Sequence, residues 1–264
     1  MQTQCNDIFA QLETWYGGDS GRYLQESILC AARPMLETAF GYHILQLGVQ
    51  GDTPLCAASP INHRIGCAAG HRAQVGLVAE AFELPLESDS VDVVIAHHCL
   101  DFTDHPHQVL REIQRVLTPQ GQLLLIGFNP LSLHGLHSRL RGWLRDPLWR
   151  RHRPVGEHRV TDWLHLLGCE VQDVARLYAV PPAGRGRLRA WLARLDRWGG
   201  RHNVPLSGLY VLHAVKQVAG LHRPRRALRG RSARLIGLVP KPAPSPTPAA
   251  PHACDVFEKG DVAA

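Results

Sequence analysis

The chain has no C-x-x-C pair. Its seven cysteines (Cys5, Cys30, Cys56, Cys67, Cys99, Cys169 and Cys254) are odd in number and irregularly spaced, which argues against a disulfide framework and fits reduced thiols in a cytosol. No stretch reaches 18 apolar residues without a charge, so no membrane-spanning helix is expected. The first ten residues, MQTQCNDIFA, lack the basic patch and apolar run of a secretory signal, and the expectation is a soluble, cytoplasmic protein. No internal repeat is evident. With 45% hydrophobic and 20% charged residues over 264 positions, the composition is neither disordered nor fibrous, and the chain is long enough to bury a core without a disulfide or a metal.

The net charge of +6 hides an asymmetry. Up to Pro130 there are 6 Lys and Arg against 14 Asp and Glu, whereas from Leu131 onward the count is 23 against 9. A basic second half invites a nucleic-acid or acidic partner, or else a solvated basic face followed by a basic tail.

Hydrophobic periodicity organises the chain. From Asn6 to Phe40 the apolar residues recur at helical spacing, interrupted by Gly17 and Gly18. Gly41 stops that region, and Tyr42 to Leu47 reads as a buried strand ending at Gly48. Further strands are expected at Arg64 to Cys67, Val75 to Val78, Val91 to Ala96, Gln122 to Ile126, Cys169 to Tyr178 and Leu209 to Val218. A helix opens at His105-Pro106 and buries Val109, Leu110, Ile113, Val116 and Leu117. Thr161 is expected to cap a short helix running to Leu167, and Arg185 to Trp198 reads as a basic amphipathic helix. From Ala219 onward the chain turns basic and then Pro/Ala-rich (VPKPAPSPTPAAP), a composition that cannot form a packed element.

Strands alternating with helices imply a doubly wound α/β sheet. The stretch AEAFELPLESDSVDVVIAHHCLDFTDHPHQVLREIQRVLTPQGQLLLIGF then resembles the middle of the class I, S-adenosylmethionine-dependent methyltransferases of the type 11 group. The elements carrying the resemblance are Glu80, Leu84-Pro85-Leu86, Val91-Asp92-Val93-Val94, Leu100 with Asp104, Leu110-Arg111-Glu112 and Arg115-Val116-Leu117-Thr118-Pro119-Gln120-Gly121. As a whole the chain is similar to a small group of bacterial methyltransferase-domain proteins, and the fold this resemblance implies is a Rossmann-like, seven-stranded sheet, mostly parallel with an antiparallel last strand. The organisation read from this is an N-terminal helical extension over 1–41, a methyltransferase domain over 42–218 and a tail over 219–264. The domain carries an Arg/Trp-rich insertion over 131–160 and a basic helical insertion over 183–205.

The resemblance implies S-adenosylmethionine as cofactor, lying over the carboxyl ends of the first four strands. Carried over by position, the cofactor-binding residues are Gln46, Gly48, Gln50, Gly51, Glu80, Ala81, Phe82 and His97. Glu80 would accept the adenine amino proton, the next backbone amide would meet a ring nitrogen, and His97 would pack beside the methionine and ribose. The sequence departs from the pattern at the first turn. Gln46 stands where an acid is usual, Gln50 and Asp52 stand where glycines are usual, and Ile61 to Val75 offers no acid for the ribose. The missing G-x-G-x-x-G and ribose acid also argue against a dehydrogenase.

Methyl transfer is an in-line displacement that gains most from positioning, and a base matters only when the acceptor must lose a proton. His98, Asp101, His105 and His107 stand near the expected sheet mouth as candidate bases. Cys56, His63, Cys67 and His71, with His97-His98-Cys99, carry ligand-type side chains but not the paired spacing of a structural zinc site, and no metal is assigned. Arg139 to Arg153, with two tryptophans and six arginines, suits either nucleic-acid contact or a lid over the substrate. The expected function is methyl transfer from S-adenosylmethionine to an unknown acceptor. The alternative is an inactive methyltransferase-like module that binds RNA or another acidic partner through its Arg/Trp segments.

Overall fold

The computed structural model describes residues 2–50, 54–70, 75–132, 147–177 and 207–217, with single positions between them. Gly51, His71, the 183–205 insertion and the tail over 219–264 therefore lie wholly or largely outside the described residues, as do six of the fifteen positions of 139–153. Two helices come first, α1 (Gln2–Tyr16) and α2 (Asp19–Thr38). The strands are β1 (His43–Gly48), β2 (His63–Ala68), β3 (Leu77–Val78), β4 (Val91–His97), β5 (Leu117–Phe128), β6 (Cys169–Leu177) and β7 (Leu209–Lys216). Helix α3 (Pro106–Val116) joins β4 to β5, and α4 (Glu157–Leu166) precedes β6.

The seven strands lie in the order β3-β2-β1-β4-β5-β7-β6. Pairing is parallel from β3 to β5, while β7 runs antiparallel to both β5 and β6. The order reverses between β1 and β4, the switch point where open α/β sheets take their ligands.

The apolar runs of β1, β4, β5 and β7 are continuous because both faces of the sheet are covered. Successive residues go to opposite faces. Ile44, Val93, Ile95, Leu124, Ile126 and Val211 pack with α1 and α2, and Leu45, Leu47, Val94, Ala96, Leu123 and Leu125 pack with α3 and α4. By the same alternation Gln46 faces the α1–α2 side.

Two boundaries shift by five residues from the sequence reading. Helix α4 begins at Glu157 with Gly156 as its N-cap, so Thr161 lies inside it. Strand β5 begins at Leu117, directly after α3, so the last apolar residue expected on that helix opens the strand instead.

Long polar side chains lock the layers. Lys216 Nζ donates to Asp89 Oδ1 (2.6 Å) and to the carbonyls of Leu117 (2.6 Å) and Gln114 (2.8 Å), fixing the end of β7 to the end of α3. Arg176 on β6 holds Glu157 of α4 through two bonds of 2.7 Å.

Candidate functional site

At the carboxyl end of β1 the backbone turns through Gly48, whose φ is +89°. A Cβ there would stand 2.2 Å from the His97 carbonyl oxygen, so β1 and β4 meet in a way only glycine permits. Beyond it the two glutamines fold inward and are fully or nearly fully buried. Gln46 Nε2 donates to the Val49 carbonyl (2.8 Å), and its Oε1 accepts from the Cys56 amide (3.0 Å). Gln50 Nε2 donates to the carbonyls of Gln46 (2.9 Å) and Cys67 (3.3 Å). An amide donates and accepts at once, as a carboxylate cannot, and this is the physical content of Gln46 standing where an acid was expected.

The end of β4 carries a second buried network. His97 Nδ1 lies 3.1 Å from the Val49 carbonyl and can only donate to it, which leaves Nε2 as an acceptor facing the Tyr16 hydroxyl at 3.4 Å. The Tyr16 hydroxyl is 2.6 Å from His98 Nε2, and His98 Nδ1 is 2.8 Å from Asp101 Oδ2, which also accepts from the Phe128 amide at 3.0 Å. His98 adopts φ +58°, uncommon for a residue with a side chain, and its ring stacks on Phe128 at 4.1 Å. Burial lowers the pKa of both imidazoles, His98 to about 3, with His97 further depressed by its neighbour His98. Burial also raises the Asp101 carboxyl to about 7, against the pull of His152 and the Phe128 amide.

Tyr16 arrives from α1, and so do two other groups at this mouth. Glu13 Oε1 accepts from the Gln50 amide at 3.3 Å, and Phe9 forms one wall of a small cavity. Opposite Phe9 the cavity is bounded by Gly48, Ala68, Glu80, Phe82 and His105, at the ends of β1, β2 and β3 and the loop after β4. Its volume is about 80 Å³. Partial burial raises the pKa of the half-buried Glu80.

The loop bearing Glu80 and Phe82 is held from α3. Glu112 accepts from the Leu84 amide (3.2 Å), and Arg115 donates to the carbonyls of Leu84 (3.0 Å) and Leu86 (2.9 Å) while pairing with Glu112 at 2.8 Å. The Leu-Pro-Leu and Leu-Arg-Glu segments of the sequence are thus two sides of one clamp.

Among the positions named from sequence, the structure gathers Gly48, Glu80, Ala81 and Phe82 around the cavity, with Gln46, Gln50 and His97 in the sealed network beside it. Of the candidate bases, His98 and Asp101 are sealed in that network, while His105 is exposed at the cavity rim and its ring is 6.0 Å from Phe82. His107 points away and packs against Trp163 at 3.7 Å. Cys56 and Cys67 belong to clusters on opposite faces of the sheet, and exposed His63 contacts His43 instead, so these ligand-type side chains do not meet. Burial raises Cys67 to about 11 and Cys99 to about 12, which keeps both as inert thiols at neutral pH. The sequence reading missed Phe9, Glu13 and Tyr16. The only local sign was the seven-residue spacing of Phe9 and Tyr16, two helical turns apart on one face with Leu12 between them.

Residues 49–125 match the family described as "Methyltransferase domain". The uncharacterized protein YafS of Escherichia coli (strain K12) is 30% identical over 166 residues, 61% of this chain and 66% of that protein. The malonyl-[acyl-carrier protein] O-methyltransferase of Halorhodospira halophila is 32% identical over 85 residues, 32% of this chain and 28% of that protein. The chain thus spans just under two thirds of the first relative and much less of the second. Among solved structures, a SAM-dependent methyltransferase of Thermotoga maritima superposes with a TM-score of 0.61 at 19% identity, covering 82% of this chain and all of that one.

Proposed function

We propose that this chain transfers a methyl group from S-adenosylmethionine to an acceptor, a reading supported by the match of residues 49–125 to a methyltransferase domain and by the likeness of the fold to that of a SAM-dependent methyltransferase. The observation that carries this reading is the cavity enclosed by Gly48, Glu80 and Phe82 at the switch point of the sheet. Glu80 accepts the adenine amino protons, the Ala81–Phe82 backbone and the Phe82 ring frame the base, and the side-chain-free turn at Gly48 admits the rest of the nucleoside.

These residues fit an adenosine in kind. They do not yet give it room, since about 80 Å³ is well short of the roughly 300–1,000 Å³ of small-molecule sites. The obstruction comes from α1, which puts Phe9 into the cavity and Tyr16 over His97. In this proposal the Phe9–Tyr16 face of α1 moves aside to admit the cofactor, and Gln46 and Gln50 meet its amino-acid end. Bound there, S-adenosylmethionine supplies an electrophilic methyl group. The protein orients it and excludes water, and His105, the candidate base exposed at the rim, takes up any proton the acceptor loses.

A second reading is favoured by one observation, the internal saturation of Gln46 and Gln50. It is a cofactor-free module on the same sheet that binds an acidic partner through its Arg-rich segments. Calorimetry and thermal shift with S-adenosylmethionine and S-adenosylhomocysteine separate the two. A ligand that binds only the native state raises its stability by RT ln(1 + [L]/Kd). Stabilisation is expected, with affinity weakened about tenfold or more in Glu80→Ala, the order of a lost charge-assisted hydrogen bond. No shift at millimolar ligand in folded protein decides for the second reading, and unchanged affinity in the variant places the adenine elsewhere.

A further inference from the structure

On the far side of the segment 103–106, away from the cavity just described, a larger one of about 810 Å³ opens between the end of β5, the 152–156 segment and the start of α4. This volume lies within the range of small-molecule sites. Its apolar wall includes Pro106, Pro130, Leu131, Val155 and Trp163, and its charged lining is almost entirely basic. Glu157 is the one carboxylate among the lining residues, and Arg176 already neutralises it through two bonds of 2.7 Å.

Two further guanidinium groups remain. Arg159 is exposed and sits over the Trp163 ring at 5.9 Å, a cation beside an aromatic face. Arg153 meets Asp104 at 2.8 Å, but the two side chains are 73% and 63% exposed, and such a pair contributes little and parts readily. Helix α4 adds to the same bias, because its N-cap is Gly156, which has no side chain to satisfy the first-turn amides. An anionic head with a flat apolar body finds complementary charge and complementary surface here.

We infer that this cavity is the methyl-acceptor site and that the acceptor is a small organic anion, its carboxylate or phosphate against Arg153 and Arg159 and its planar body against Trp163 and the proline wall. The acceptor role rests on the methyl-transfer reading above. Asp104 lines the smaller cavity and Arg153 the larger, so their ion pair stands in the partition between donor and acceptor. An anion that recruits Arg153 releases Asp104 and opens that partition.

The test is calorimetry with benzoate and phenyl phosphate as probes, benzyl alcohol as the neutral control and S-adenosylhomocysteine titrated separately. The two anions are expected to bind at millimolar concentration and the alcohol not to. The double variant Arg153→Gln/Arg159→Gln is expected to weaken the anions at least tenfold and leave S-adenosylhomocysteine within about twofold, because two charge-assisted hydrogen bonds are lost at a site apart from the nucleoside. Equal binding of benzyl alcohol, unchanged anion affinity in the variant, or no anion binding to the wild type overturns the assignment of the cavity. Anion binding in a protein that never binds S-adenosylhomocysteine sinks methyl transfer and the acceptor role with it, while the anion site stands.

Discussion

The Tyr16 hydroxyl and the His98 imidazole, 82 residues apart in the chain, share a buried hydrogen bond of 2.6 Å at the mouth of the sheet. It ties the first helix to the strand end where the chemistry is proposed. Tyr16→Phe removes the one hydrogen-bond partner that His98 Nε2 has among the described residues and keeps the ring that packs there. The variant is expected to lose about 1–3 kcal/mol of stability, the cost of an unsatisfied buried polar group, read from urea midpoints. If α1 must withdraw to admit cofactor, the same variant binds S-adenosylhomocysteine more tightly, because a larger fraction of molecules is already open. Weaker binding would show that Tyr16 belongs to the bound state instead.

Gly48→Ala tests the close approach of β1 and β4. The added methyl meets the His97 carbonyl oxygen at 2.2 Å from a backbone at φ +89°, so the strand ends must part. A loss of ~3 kcal/mol or more is expected, at the upper end of single substitutions. A melting temperature within a degree or two of wild type would contradict the geometry.

Arg115→Met removes the clamp on the Glu80 loop while keeping an apolar stem. The side chain is about one third exposed, so the stability change is expected to be ~1 kcal/mol or less. The effect should fall on binding, because Leu84 and Leu86 lose their anchor and Glu80 its fixed position. Weaker affinity for S-adenosylhomocysteine, partly restored in Arg115→Lys, is the expected pattern. Undiminished affinity would separate the loop from the binding site.

The histidine pair predicts a pH dependence. His97 and His98 have folded pKa values below their ordinary 6.5, so the unfolded chain binds more protons and stability rises with pH between about 3 and 6.5. Asp101 acts with the opposite sign. Its folded pKa, about 7, lies above the ordinary 3.8, so its contribution is greatest at low pH and is lost as pH rises across that interval. Two rising groups against one falling group leave a slope near one proton, ~1.4 kcal/mol per pH unit. In His98→Gln the slope between pH 4 and 6 should vanish or nearly so. A variant that retains the wild-type slope would show that His98 already carries a proton in the native state.

The parts of the fold that were legible in the sequence are those whose causes are local. Both faces of β1, β4 and β5 are covered, so their apolar runs are uninterrupted, and Pro106 marks the start of α3 through its own backbone geometry. The Glu80 loop was legible because the residues that hold it, Glu112 and Arg115, sit on one short helix close by in sequence. The start of α4 was misread because Gly156 caps it without a side chain, while Thr161 imitates a cap from inside the helix. The role of α1 was not legible. Phe9, Glu13 and Tyr16 look like an ordinary helix face until the chain brings residues 48–105 beneath them, and no local pattern encodes a contact made across 82 positions.

Strand β7 lies between β5 and β6 although it is the last of the three to be synthesised. During translation β6 therefore leaves the ribosome with no sheet neighbour, and the edge of β5 stays bare until residues 209–216 emerge. Sheet completion waits for residues 209–216, and a chain cut short before Leu209 would leave one edge of β5 and the whole of β6 unpaired, the kind of surface that seeds aggregation.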